Sequence, residues 1–399
     1  MSEKCVRKVI MIRKIAISLL FLMIFINNII GVEDFQSQCI LLYNRETDSN
    51  LYEKNSNQVW SPASLTKIMT FIVVDKFIDD KDEKVIVDGN LLKSLDGTDS
   101  SLAYLKAGNQ YSVQQLLTAM MIPSGNDAAL ILANYVERKF NLEENVFVRE
   151  MNEMAKSLGC NNTHFENPRG LYHENHFTTC VDMLKIIKRA IKIDLFNSIV
   201  CKNSYELDGK ILKNTNKLLD PSSEYYFEDC FGIKTGSHNQ AGYCLSSIAK
   251  RNKQTYICIC MGAPKFDSNG SSMEKNFAMI DSKELYNWAF SKYRVLDVSS
   301  KISKYFEIKT KYFEIPIKLK ECNSFALVPY GKNLSSLDVN CDISEISEYS
   351  FPIKQGQKLG NVKVLCNGKV IKNCELSAEC DVGLDFWSKF RYLFKKFVS

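Results

Sequence analysis

Ser64-Leu65-Thr66-Lys67 places a hydroxyl and an amine three residues apart, and Pro62 two positions before the serine suits the first turn of a helix. In such a helix the two side chains share one face, with the amine in reach of the hydroxyl. A free serine is a poor nucleophile. A lysine can serve as its base if burial and neighbouring cations leave some of the amine neutral, and the helix N-terminus favours negative charge developing at an attacked carbonyl. Two further triplets complete the set. Ser124-Gly125-Asn126 offers a second hydroxyl and an amide, and Lys234-Thr235-Gly236 joins a cation to a hydroxyl and a residue with no side chain. A cation beside a hydroxyl fits a carboxylate ligand, one giving charge and the other a directional hydrogen bond.

These residues need particular supports. Ile68, Met69, Phe71, Ile72 and Val73 read as a buried helix behind Ser64. The apolar stretch Leu116–Ile122 with Pro123 precedes the second triplet and a helical run from Ala128 to Tyr135 follows it, so Ser124 is expected on a short connection between helices. The third triplet is expected on a strand, with further strands at Ala241–Leu245 and Thr255–Met261. Phe147–Leu158 and Val181–Ile191 carry helical periodicity.

With these residues in order, the chain resembles the serine-type D-alanyl-D-alanine carboxypeptidases of the low-molecular-mass penicillin-binding protein family. The likeness runs through Trp60–Lys67, Ile122–Ala129, Asn161–Leu171, Gly232–Gly236 and Ala241–Tyr243, and extends from about residue 33 to the C-terminus. It departs from the family pattern at Ser237-His238-Asn239 and at the cysteine after Tyr243. The resemblance implies an acyl-enzyme on Ser64, with Lys67 taking its proton. Ser124, held by Lys67 and Asn126, would relay a proton to the departing D-alanine. Lys234 and Thr235 would bind the terminal carboxylate beside Gly236, and backbone N–H groups of Ser64 and Ser237 would form the oxyanion hole. The implied substrate is a peptidoglycan stem peptide ending in D-Ala-D-Ala, with β-lactams as inhibitors and no cofactor. A β-lactamase shares the three triplets, but this chain has no Glu-x-x-Leu-Asn segment of the class A type. A catalytically idle wall-binding protein is disfavoured because all the reacting residues are present.

The expected fold class is a mixed α/β (α+β) transpeptidase-like domain over residues 33–294, followed by a small all-β sandwich over 295–382. About 365 residues after a leader are too many for one ordinary core. Short runs at Tyr305–Ile308, Phe313–Ile317, Phe325–Val328 and Val362–Leu365, with Asn367-Gly368 as a hairpin signal, carry the second assignment. Lys4, Arg7, Lys8, Arg13 and Lys14 before the apolar run Ile15–Ile26 read as a signal peptide or signal anchor over 1–32, which places the body outside the cytoplasmic membrane. Leu384, Phe386, Trp387, Phe390, Leu393, Phe394 and Phe397 recur at helical spacing among Lys389, Arg391, Lys395 and Lys396. Residues 383–399 are therefore expected to form an amphipathic helix at the membrane surface.

A net charge of +5, partly in leader and tail, points to membrane contact and gives no support for nucleic acid. The four histidines, His164, His173, His176 and His238, lack metal-ligand spacing. His164 and His176 are expected in the wall of the site, and His238 near the cleft. Fourteen cysteines include no Cys-x-x-Cys pair, so most are expected as buried thiols, with one or two bridges, for example one among Cys366, Cys374 and Cys380.

Overall fold

The computed structural model describes residues 35–383 apart from 99, 142, 144, 309–316 and 344–351. The segments expected as a signal sequence (1–32) and as a C-terminal amphipathic helix (383–399) fall outside the described residues, apart from residue 383. A five-stranded sheet is built from β1 (Cys39–Asn44), β2 (Ser49–Lys54), β3 (Cys230–His238), β4 (Gly242–Arg251) and β5 (Gln254–Ala263). Their order is β2-β1-β5-β4-β3, with every neighbouring pair antiparallel. The third triplet therefore lies on an edge strand, whose outer side is free to face a cleft.

Helices cover both sheet faces. One apolar cluster joins β1 and β5 to the helices Thr66–Phe77, Val113–Met121, Asn126–Lys139 and Cys180–Ala190. On the opposite face the helix Phe277–Lys292 packs through Leu285, Tyr286, Ala289 and Phe290. Thr66–Phe77 is central, and all nine residues from Thr66 to Val74 are buried. A helix apolar all round has to be enclosed by the rest of the fold, and each large side chain so buried contributes about 1.5–3 kcal/mol. Enclosure on every side also takes Lys67 out of water.

Beyond residue 292 the chain forms a C-terminal β-sheet domain. Tyr293–Asp297 pairs with Phe325–Pro329, and Leu337–Ile343, Lys358–Cys366 and Lys369–Ser377 make a three-stranded sheet. Asn367 and Gly368 both adopt positive φ, the conformation a two-residue hairpin turn requires. A separate apolar cluster from Val298 to Ala378 fills this domain. Two expectations need correcting. Tyr305–Ile308 is a 3-10 turn through Tyr305 and then a two-residue strand, and the disulfide joins Cys374 to Cys322, with Cys366 buried and Cys380 exposed as free thiols. The remaining described cysteines are free as well, and all but Cys201 and Cys341 are buried. No described helix is long and apolar enough to cross a membrane.

Candidate active site

Ser64 sits in a 3-10 turn, Ala63–Leu65, that runs directly into the helix Thr66–Phe77. The first hydrogen bond of this turn is Leu65 N–H to the Pro62 carbonyl, 3.1 Å, so the Ser64 N–H precedes the ladder and has no acceptor within it. Three segments then converge on the Lys67 amine. Its Nζ lies 2.8 Å from Ser64 Oγ, 2.6 Å from Asn126 Oδ1 and 2.8 Å from the Arg169 carbonyl oxygen. Burial is the main influence holding this amine well below the usual lysine range, and the charges of Lys234 and Arg169 add to it against Asp127.

The chemistry of that arrangement follows from a count of protons. The Asn126 and Arg169 oxygens are carbonyls, which only accept. A neutral amine has two N–H donors and one lone pair. Its donors go to the two carbonyls, and the lone pair is left facing the Ser64 hydroxyl, which is the direction a general base needs.

The carbonyl of Arg169 is held in place by its loop. Asn167 Oδ1 accepts from the N–H groups of Arg169, Gly170 and Leu171 at 3.2, 2.8 and 3.0 Å, while its amide donates to the Leu171 carbonyl. Thr70 Oγ1 donates to the Pro168 carbonyl at 2.7 Å. His176 ties the same loop to the Ser64 turn: Nε2 lies 2.8 Å from Thr66 Oγ1, and Nδ1 accepts from Glu166 N–H at 3.2 Å. Burial, then the neighbouring histidines, brings His176 down to about 3, so it is neutral and able to accept. Gly170 has φ +83, and a Cβ there would meet the Ala63 carbonyl oxygen at 2.0 Å. Gly236 closes the turn from the other side, where a Cβ would stand 2.8 Å from Ser64 N. Both contacts bring backbone against the turn at a distance only glycine allows.

Ser124 occupies a left-handed conformation, φ 67, between the helices Val113–Met121 and Asn126–Lys139. Buried Asp127 fixes this junction by accepting from Ala103, Leu105 and Ala128 N–H, and Asn126 N–H donates to the Ser101 carbonyl. A cavity of about 190 Å³ is lined by Ser64, Ser101, Ser124, Thr215, Thr235, Gly236 and Ser237 among others. No hydrogen bond joins Ser124 to Lys67 or Asn126 among the described residues, because the three partners of the amine are Ser64, Asn126 and Arg169. The Ser124 side chain instead faces the cavity. Thr235 Oγ1 donates to Thr215 Oγ1 at 2.6 Å. Lys234 stands behind it, 1% exposed, with Nζ 3.0 Å from the Thr235 carbonyl, and burial brings it down to about 7.

Seven of the eight residues singled out from sequence thus either line this cavity or meet at Lys67 beside it, and Lys234 adds charge from within the wall. His238 lies at the rim, 2.9 Å from Ser61 Oγ, in an adjoining polar cavity of about 490 Å³ that shares Ser101 and Ser237. Sequence reasoning missed Ser101, Thr215, Asn167 and the Arg169 carbonyl as contributors. Only Asn167-Pro168 carried a local signal, as a turn-initiating dipeptide.

Residues 27–265 match the sequence profile of a family described as D-alanyl-D-alanine carboxypeptidase. D-alanyl-D-alanine carboxypeptidase DacF of Bacillus subtilis (strain 168) is 29% identical over 357 residues, 87% of this chain and 86% of that protein. DacA of Escherichia coli (strain K12) is 27% identical over 353 residues, 86% and 82% of the two chains. Among solved structures, penicillin binding protein 5 from Haemophilus influenzae aligns with a TM-score of 0.71 at 25% identity, over 89% of this chain and 99% of that one. A Streptomyces K15 DD-transpeptidase aligns with a TM-score of 0.57 at 28% identity, over 65% of this chain and 99% of that one.

Proposed function

Because the chain belongs to the serine peptidase S11 family of D-alanyl-D-alanine carboxypeptidases, and is a serine-type D-Ala-D-Ala carboxypeptidase, we propose that its acyl-enzyme forms on Ser64. The observation that supports this most is the placing of Lys67 Nζ 2.8 Å from Ser64 Oγ, with the Asn126 and Arg169 carbonyl oxygens as acceptors beside it.

Ser64 Oγ attacks the carbonyl carbon of the penultimate D-alanine as its proton passes to Lys67. The oxyanion that forms is met by the N–H groups of Ser64 and Ser237, and losing one such donor costs about 2.7–4 kcal/mol of transition-state stabilisation. The peptide C–N bond then breaks, and the departing amine takes its proton from the Ser124 hydroxyl, which faces the cavity; with Ser64 acylated, Lys67 turns the proton it took from Ser64 towards Ser124 and restores that hydroxyl. Thr235 and the charge of Lys234 hold the terminal carboxylate. Water completes the cycle. It attacks the ester carbonyl, passes a proton to Lys67, and frees the shortened peptide as Ser64 recovers its hydrogen. A β-lactam enters as a dipeptide mimic, but its leaving amine stays tethered and blocks that water.

Residues 33–294 carry the catalysis in this reading. The β-rich module over 295–382 holds it away from the outer face of the cytoplasmic membrane, which the aromatic-basic segment 383–399 contacts after export directed by residues 1–32. Purified protein should release D-alanine from an acyl-D-Ala-D-Ala peptide and be labelled by a fluorescent penicillin, with both signals lost in Ser64→Ala. Rapid penicillin turnover would instead indicate a β-lactamase, and silence of the folded protein in both assays would refute Ser64 as nucleophile.

A further inference from the structure

A cavity of about 520 Å³ shares no lining residue with the catalytic one. Lys185, Lys188, Arg189 and Lys192 line it from one stripe, at i, i+3, i+4 and i+7 along the helix Cys180–Ala190 and the turn after it. Arg45, just past the end of β1, adds a fifth cation from the other side, and Tyr43 and Asn323 add polar groups. Asp48 is the one carboxylate in the lining, and it is held by Lys188 at 2.7 Å and by the Tyr43 hydroxyl. Lys185 is bound to Asp182 at 2.8 Å. Arg45, Arg189 and Lys192 have no carboxylate partner among the described residues.

Like charges one turn apart repel, so a stripe of four needs an offset. The helix C-terminus supplies part of it to Lys188, Arg189 and Lys192, since cations there complement the macrodipole. It does not account for Arg45, which comes from another element, nor for gathering the charges round a hollow. Leu158, Ile191 and Ile257 form apolar parts of the wall, and a cleft of one charge sign with low-dielectric walls concentrates counter-ions.

We propose that this cavity binds a phosphate-bearing anion, a lipid headgroup or a soluble phosphate ester, through Arg45, Arg189 and Lys192. Two arginine forks suit the paired oxygens of a phosphate, and three unpaired cations match a ligand carrying more than one charge. The volume lies in the range of small-ligand sites, room for a phosphate with a glycerol or sugar attached.

Calorimetry on the full chain with inorganic pyrophosphate tests the site. The variant R45Q/R189Q/K192Q should bind at least about tenfold more weakly than wild type. A charge-matched control, K84Q/R138Q/K139Q, alters a different cavity and should bind like wild type. All three proteins should be labelled equally by fluorescent penicillin, which shows that they are folded. Co-sedimentation with vesicles of phosphatidylglycerol in phosphatidylcholine separates the sources. Vesicle binding weakened in the first variant and competed by pyrophosphate assigns a lipid headgroup, while vesicle binding unchanged with pyrophosphate binding lost assigns a soluble phosphate. The proposal is overturned if wild type binds no pyrophosphate at concentrations on the order of 10 mM, or if the control weakens binding as much as the first variant.

Discussion

In the proposed mechanism Asn126 sets the proton balance of the site, because its Oδ1 is 2.6 Å from the Lys67 amine and accepts without carrying charge. Asn126→Asp keeps the shape and adds an anion at that distance. At an effective dielectric of 20, the attraction between the two unit charges is about 6 kcal/mol. If only a third survives desolvation of the new carboxylate, about 2 kcal/mol favours the protonated amine, and the neutral fraction falls by up to about 30-fold. Acylation should slow by up to that factor at fixed pH and recover as pH rises, since the proton can still be removed. Asn126→Leu has the opposite sign. It withdraws an acceptor that favours the ammonium more than the amine, so the ascending limb should move down in pH while the maximum drops. The assay is the second-order rate of Ser64 labelling by a fluorescent penicillin, measured across pH for the three proteins. If the Asp profile superimposes on wild type after scaling, with no movement of the ascending limb, then Lys67 is not the base and the reasoning fails.

Other expectations follow from the same geometry. In the proposed mechanism Lys234 acts as a cation, and it is brought down to about 7, so kcat/KM for an acyl-D-Ala-D-Ala peptide should rise as Lys67 deprotonates and fall above about pH 7. Lys234→Arg keeps its charge throughout and should abolish the falling limb; persistence of that limb would assign it to another group. Gly170→Ala forces a side chain onto the Ala63 carbonyl from a left-handed backbone, and should destabilise the protein by about 2–5 kcal/mol while reducing acylation, both read against wild type in urea melts and labelling. Replacing Cys322 and Cys374 by serine opens a loop of sequence separation 52, for which chain entropy sets a scale of about 4 kcal/mol. Protease nicking should then increase beyond residue 293, with penicillin labelling unchanged.

The parts of the site that a single segment builds were legible in the sequence. Ser64 and Lys67 meet because a helical turn brings i and i+3 together, and Ser124 falls between two helices because Pro123 and Gly125 interrupt the apolar periodicity. Strand assignments for β4 and β5 followed from runs such as Tyr256-Ile257-Cys258-Ile259, which suit a sheet covered on both faces. The Arg169 carbonyl, Thr215 and Ser101 were not legible, since a backbone oxygen or a loop hydroxyl acquires its role only through tertiary placement. Cys322 was missed for a related reason: cysteine spacing constrains how many bridges can form but not which partners the fold brings together. The lack of a hydrogen bond between Ser124 and Lys67 belongs to the same class, as it depends on the Arg169 loop taking the third position on the amine.

That loop has a consequence for when the enzyme becomes reactive. The amine loses its grip on its proton only when residues 64, 126 and 169, far apart along the chain, have closed round it and excluded water. On the proposed mechanism, an unfolded chain holds an ordinary lysine next to an ordinary serine. In the proposed mechanism, folding is therefore the step that makes Ser64 reactive.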